Sequence, residues 1–283
     1  MPEAIIRATT FPISTGSNLS PAQYNSQIRG AIRVANQIYE NRPRGMPRIS
    51  FRLSTIMTYG QVIANMSPHE RANVDSDDST CEGLLSRSVR SLFRRNSGGL
   101  LTWGRHRRII AMNETQLMRN RYGAGRFDWG GYTVELLGDQ PNPDNPGRTG
   151  RASDEALRIL RLNRVNEEIA TYWVPGFGGL SASGVTFFPE AYIGITHQTE
   201  GIIMGYNVAP DVLAHELGHL LMRAGHKSFE VDPETGRELP VPVTNLMYGT
   251  NSDRLQAPGG PGRDITRGQI NRMLSQSQRY LRS

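Results

Sequence analysis

The stretch Ala209-Pro210-Asp211-Val212-Leu213-Ala214-His215-Glu216-Leu217-Gly218-His219-Leu220-Leu221 carries the most specific pattern in the chain. Val212, Leu213, Leu217, Leu220 and Leu221 recur at helical spacing and predict the core face of one helix. Pro210 suits its first turn, and Asp211 complements its positive end. His215 and His219 are four residues apart, so both imidazoles project from one side of the helix. Two nitrogens on a rigid element suit one zinc ion at about 2.0–2.1 Å. Glu216, beside the first candidate ligand, is suited to take a proton from a metal-bound water rather than to bind the metal.

Bare His-Glu-x-x-His strings arise by chance, and a buried helix with two histidines is the plain alternative. The surroundings favour the zinc site. The string lies on a strongly patterned helix, and three of the chain's six histidines (His215, His219 and His226) fall within twelve residues. Gly225-His226 and then Asn245-Leu246-Met247-Tyr248-Gly249 follow.

Over about 40 residues this pattern resembles the metzincin zinc peptidases. That family carries His-Glu-x-x-His-x-x-Gly-x-x-His and, downstream, a tight turn whose methionine lies beneath the metal. The resemblance implies zinc as cofactor, with His215, His219 and His226 as ligands and Glu216 as the catalytic base. It also implies Met247 as the floor of the site, with Tyr248 as a hydrogen-bond donor to the developing oxyanion. The chain departs from the pattern, having Met222 at the family's glycine and Gly225 at its third histidine, so that His226 is one residue late. A slightly longer helix, ended by Gly225 in the left-handed conformation, would bring His226 back to the metal. Glu230 and Asp232 are substitute oxygen ligands. The tyrosine of some metzincins lies two residues past the methionine, whereas Tyr248 lies one past Met247.

Working outward, Ile28, Ile32, Val34, Ala35 and Ile38 predict a long helix over residues 22–41, ending before Pro43. Arg48-Ile49-Ser50-Phe51-Arg52-Leu53 alternates as a half-buried strand does, and Tyr132–Leu137 is a second strand candidate. Gln140–Gly150 is Pro/Asn/Gly-rich and reads as an exposed loop. Leu157, Leu160, Leu162, Val165 and Ile169 predict a helix over residues 152–171. Strands near Gly184–Phe188 and Gly201–Tyr206 lead into the motif helix. By resemblance, Gly184–Phe188 with the following Glu190–Ile195 is the edge along which an extended substrate is aligned.

The fold expected is α+β and metzincin-like: a twisted mixed sheet, a long N-terminal helix, the motif helix, and a small C-terminal part with the methionine turn and a terminal helix. Residues 1–20 are expected as a flexible arm and 21–283 as one metallopeptidase domain, with an upper part (21–225) and a lower part (226–283).

Composition bounds the function less tightly. No stretch approaches the roughly 18–20 apolar residues of a membrane span, and the N-terminus lacks a charged region followed by an apolar run. A single cysteine, Cys81, rules out an internal disulfide. As an inhibitory thiolate on zinc it would follow some relatives, but a buried free thiol is commoner. The charge is +6, and Lys227 is the only lysine among 32 basic residues. A GC-rich genome explains arginine in place of lysine, although the many Asn and Ile residues run against it. The sharper hypothesis is a bacterial effector or toxin, secreted or translocated without a cleavable signal peptide, in which few lysines mean few ubiquitination sites. A cytoplasmic enzyme is the alternative.

Ten arginines between Arg87 and Arg126, interleaved with Leu92, Phe93, Trp103, Ile109 and Ile110, would suit a nucleic-acid groove. A solvated basic face is preferred, since no nucleic-acid motif accompanies them. His69, His106 and His197 lack partner spacing and read as structural or exposed. The activity expected is zinc-dependent endopeptidase action on a protein or peptide. The rivals are a non-catalytic zinc-containing interaction protein and a nucleic-acid binder using residues 87–126.

Overall fold

The computed structural model describes residues 1–11, 21–58, 154–174, 184–206, 208–225 and 263–282. It also describes the shorter pieces 61–62, 65, 134–135, 150–152, 177–178, 229–231, 238–240, 242 and 244–247. In chain order the elements are β1 (Glu3–Thr10), α1 (Pro21–Glu40), β2 (Ser50–Thr58), β3 (Val134–Glu135), β4 (Gly150–Arg151), α2 (Asp154–Arg161), β5 (Glu168–Val174) and β6 (Phe177–Gly178). There follow β7 (Gly184–Phe187), β8 (Tyr192–Ile193), β9 (Gly201–Gly205), α3 (Val212–Met222), β10 (Phe229–Val231), β11 (Glu238–Pro240), α4 (Arg267–Gln276) and β12 (Leu281–Arg282).

Six of the strands form one mixed sheet. β1 lies inside it, parallel to β2 along one side over Glu3–Thr10. Its other side pairs in parallel with β5 over Ile5–Thr10 and antiparallel with β12 over Glu3–Ala4. β9 continues the sheet in parallel beyond β5, and β7 closes the path antiparallel to β9. Of the parallel strands, β5 and β9 read as continuous apolar runs because both of their faces are covered. Every residue of β9 is buried, and so is β5 from Ile169 to Val174. The architecture is thus mixed α and β around a mixed sheet, compatible with the α+β class.

β1, α1 and β2 make a crossover unit, as two adjacent parallel strands require. Ile28, Ala31, Ile32, Ala35, Ile38 and Tyr39 form the buried stripe of α1. The Asn36 side chain both accepts from the Phe51 N–H and donates to the Phe51 carbonyl, each at 2.8 Å, tying the helix to β2. α3 packs against α1, α4, β7 and β9, so the motif helix is enclosed by helices and sheet together.

Two expectations change. Residues 3–10 are not part of an N-terminal arm: they form β1, with Ala4, Ile6 and Ala8 fully buried. Residues 12–20 lie outside the described residues. The helix expected over 152–171 stops at Arg161, and Glu168–Val174 is a strand. Asn163 and Glu167 take positive φ values of 47° and 66°, which breaks the helix between them. The β-branched and aromatic run Ile169-Ala170-Thr171-Tyr172-Trp173-Val174 then favours extended backbone. The Tyr172 hydroxyl reaches back to the Leu160 and Leu162 carbonyls at 3.1 and 2.7 Å, satisfying the end of α2. Within the expected strand Tyr132–Leu137 only β3 is described, and within the expected loop Gln140–Gly150 only Gly150. The arginine-rich segment 87–126, Cys81, His69 and His106 lie outside the described residues. Among the described residues no helix is long and apolar enough to cross a membrane.

Because Ile6 is fully buried on a strand paired along both sides, Ile6→Ala is expected to lower the unfolding free energy by about 2–5 kcal/mol. Urea denaturation followed by circular dichroism measures it. A change below about 0.5 kcal/mol would remove β1 from the core.

Candidate metal centre and base

α3 is buried along its length from Leu213 to Met222. Polar groups on such a helix need partners, because burial without them costs several kcal/mol. His215 Nδ1 lies 2.6 Å from the Leu246 carbonyl oxygen, and His219 Nδ1 lies 2.6 Å from the Ala224 carbonyl oxygen. A carbonyl only accepts, so each contact places a hydrogen on Nδ1, and a neutral ring then keeps its lone pair on Nε2. The two Nε2 atoms face each other at 2.8 Å, with ring planes 84° apart. Two neutral rings of that tautomer cannot hydrogen-bond through Nε2, whereas a cation could bind both nitrogens. Tetrahedral zinc with bonds of about 2.0–2.1 Å would set the nitrogens about 3.3 Å apart, an opening of a few tenths of an ångström. The donor set therefore fits zinc.

Glu216 follows His215 and is held on the side facing β7. The Thr186 hydroxyl lies 2.7 Å from Glu216 Oε2 and 2.8 Å from the Glu216 carbonyl oxygen, with one hydrogen to give to either. Close approach of β7 depends on Gly184. A Cβ there would lie 2.9 Å from Glu216 Cγ and 2.8 Å from Met204 Sδ.

Met247 is completely buried. Its sulfur would lie 2.5 Å from a Cβ built on Gly218, so it packs against α3 at the residue before His219. The turn beneath is pinned from several sides. Met247 N–H donates to Asn245 Oδ1 at 2.8 Å, and the Asn245 and Gln269 amides pair reciprocally at 3.2 and 2.9 Å. Leu246 N–H donates to the Asp264 carbonyl at 2.8 Å. Gln269 also completes the capping box of α4 with Thr266, so the terminal helix and the methionine turn share one side chain. The Tyr39 hydroxyl donates to the Ala214 carbonyl at 3.2 Å, and burial raises the phenol's pKa far above its ordinary value, keeping it a donor.

The end of α3 corrects one expectation. Arg223 adopts the left-handed conformation (φ 50°, ψ 49°) and ends the helix, while Gly225 is not among the glycines with positive φ. An arginine there costs about 1–2 kcal/mol, against which its guanidinium binds Glu190 and Glu200. The remaining carbonyls are capped from the segment after the turn. Ser277 Oγ donates to Leu221 O at 2.6 Å and Arg272 Nε to Met222 O at 2.8 Å. At the other end, α3 begins at Val212 with Asp211 as N-cap, which places Pro210 just before the helix rather than in its first turn.

His215, Glu216, His219 and Met247 are thus brought to one place. His226, Asp232 and Tyr248 lie outside the described residues, and of Glu230 only the backbone, in β10, is described. Among the described residues no group of three or more His, Cys, Asp or Glu is arranged to hold a metal. His197 is largely exposed and lies 3.3 Å from Glu200. Thr186, Gly184, Asn245, Gln269 and the two carbonyls were not singled out by sequence. Only the capping signal Thr266-x-x-Gln269 was readable locally.

No protein-family model and no curated protein matches the chain. Among solved structures, a chain titled "Structure of a chaperone-substrate complex" aligns with a TM-score of 0.40 and 12% identity. The alignment covers 98% of this chain and 38% of that one, so this chain spans under two-fifths of its length. At that score the likeness carries neither fold nor function across.

The contact between Gly218 and Met247 can be tested by a double-mutant cycle. Gly218→Ala is expected to destabilise the otherwise unaltered chain by about 1–3 kcal/mol, and to be close to neutral in a Met247→Ala background, where the obstructing sulfur is gone. Equal costs in both backgrounds would refute the packing.

Proposed function

We propose that the chain is a zinc-dependent endopeptidase in which His215 and His219 hold the metal and Glu216 is the general base. The observation that carries the proposal is the approach of the two Nε2 atoms to 2.8 Å, each ring's Nδ1 lying against a carbonyl, with a carboxylate on the adjoining residue. His226 is the third ligand in this proposal, with Glu230 or Asp232 as substitutes. Zinc bound there would supply a Lewis acid and lower the pKa of a coordinated water toward about 7.

The chain's own residues do the rest. Thr186 occupies one oxygen of Glu216 and so orients the carboxylate; the other oxygen takes the proton from the attacking water and later passes it to the leaving amine. Tyr248 donates a hydrogen bond to the oxyanion that forms on the scissile carbonyl. β7, at the end of the sheet path and antiparallel to β9, is the strand along which an extended peptide would pair. Met247 supports the helix from below. The scarcity of lysine supports the further proposal that this peptidase is an effector delivered into a eukaryotic cell.

Metal analysis, with cleavage of an unfolded protein substrate measured for the unaltered chain and Glu216→Ala, tests this. One zinc per chain is expected in both. Cleavage by the variant is expected to fall by a factor of about 10²–10⁴ or more. Zinc in both without cleavage by either would point to a binding protein, and absence of zinc from both would end the metal reading.

A further inference from the structure

Glu200 is a fully buried carboxylate, and its surroundings are more elaborate than a structural ion pair requires. Arg223 Nη2 donates to both of its oxygens at 3.0 Å, the Tyr280 hydroxyl donates at 2.6 Å and Arg279 Nη1 at 3.3 Å. His197 Nδ1 lies 3.3 Å from Oε2, and Arg223 Nη1 binds Glu190 at 3.0 and 3.1 Å. The carboxylate thus joins the loop before β9, the end of α3 and the segment after α4.

A plain structural role would account for the burial and the charges. It does not account for where the Arg223 tether falls. Arg223 holds a backbone conformation that an arginine rarely takes, and the next residue supplies the carbonyl that accepts from His219 Nδ1 at 2.6 Å. Freed from its tether, Arg223 would relax to a right-handed or extended conformation, swinging the Ala224 carbonyl away from the ring. His219 would then lose the contact that fixes its tautomer and its tilt toward His215. Side chains in this relation to a ligand histidine typically change metal affinity without touching the metal.

We propose that Glu200 is a positioning residue for His219, acting through Arg223: it locks the left-handed turn that presents the Ala224 carbonyl to the imidazole. The affinity readout below rests on the zinc proposal, whereas the tautomer readout does not.

The experiment uses nitrogen-15-labelled full-length chain without metal at about pH 8, where imidazoles are neutral. Long-range proton–nitrogen correlation spectra then report which nitrogen of His219 carries hydrogen. The unaltered chain is expected to show Nδ1–H. Glu200→Gln is expected to show a mixed or Nε2–H tautomer, and zinc affinity, from chelator competition, about ten- to hundredfold weaker. Arg223→Gly loses the ion pair but takes the left-handed conformation unaided, so it should keep Nδ1–H and stay within about twofold in affinity. Adding Glu200→Gln to it should change neither. Arg223→Val, which resists that conformation, should behave like Glu200→Gln.

Retention of Nδ1–H in Glu200→Gln would overturn the proposal, as would identical behaviour of the glycine and valine variants. If Glu200→Gln fails to fold, the comparison at position 223 decides. If the unaltered chain binds no zinc, the functional proposal fails, and the tautomer still decides this one.

Discussion

Two peptide carbonyls, Leu246 O and Ala224 O, impose order on the whole centre. A helix buried as completely as α3 cannot leave an imidazole N–H without an acceptor, and each carbonyl lies 2.6 Å from an Nδ1. Both rings turn their Nε2 atoms the same way in consequence. Much of the surrounding structure serves to hold those carbonyls still. The Asn245–Gln269 amide pair and the bond from Leu246 N–H to Asp264 fix the first. The Arg223 turn and its buried glutamate fix the second.

The same constraint explains why the helix was legible in the sequence and its supports were not. The i, i+4 histidines and the leucine stripe are local, so periodicity exposes them. The partner of His215 lies 31 residues away, and Thr186 lies 30 residues from Glu216. No local pattern marks residues that meet only through the sheet. The end of α3 shows the opposite failure, in which a local preference misleads. Gly225 is the better left-handed residue by intrinsic conformation, yet a carboxylate from before β9 holds Arg223 there instead.

Strand prediction failed where burial removes alternation. β1 and β5 are covered on both faces, so neither shows the period-two pattern of a half-exposed strand. In the stretch before β5, leucines at helical spacing run on to Leu162, and Val165 and Ile169 prolong the pattern by coincidence. The two positive-φ residues in the turn, asparagine and glutamate, gave little warning. The strands β7 and β9 were anticipated to within one residue at each boundary, whereas β2 runs to Thr58, past the expected end at Leu53. The long helix α1 was anticipated to within one residue at each end.

The pairing of β1 with both β5 and β12 has a consequence for how the molecule comes into being. Strand residues 3–10 are synthesised well before their neighbours on one side, residues 168–173 and 281–282. Parallel partners so distant in sequence are slow to find each other, since the intervening chain must close before any contact rewards it. Residues that brace the motif helix from behind, Arg272, Ser277, Arg279 and Tyr280, also follow it in the order of synthesis. During translation the two histidines therefore exist without the scaffold that aligns them. The supports of the centre are complete only once the segment through Tyr280 has been synthesised.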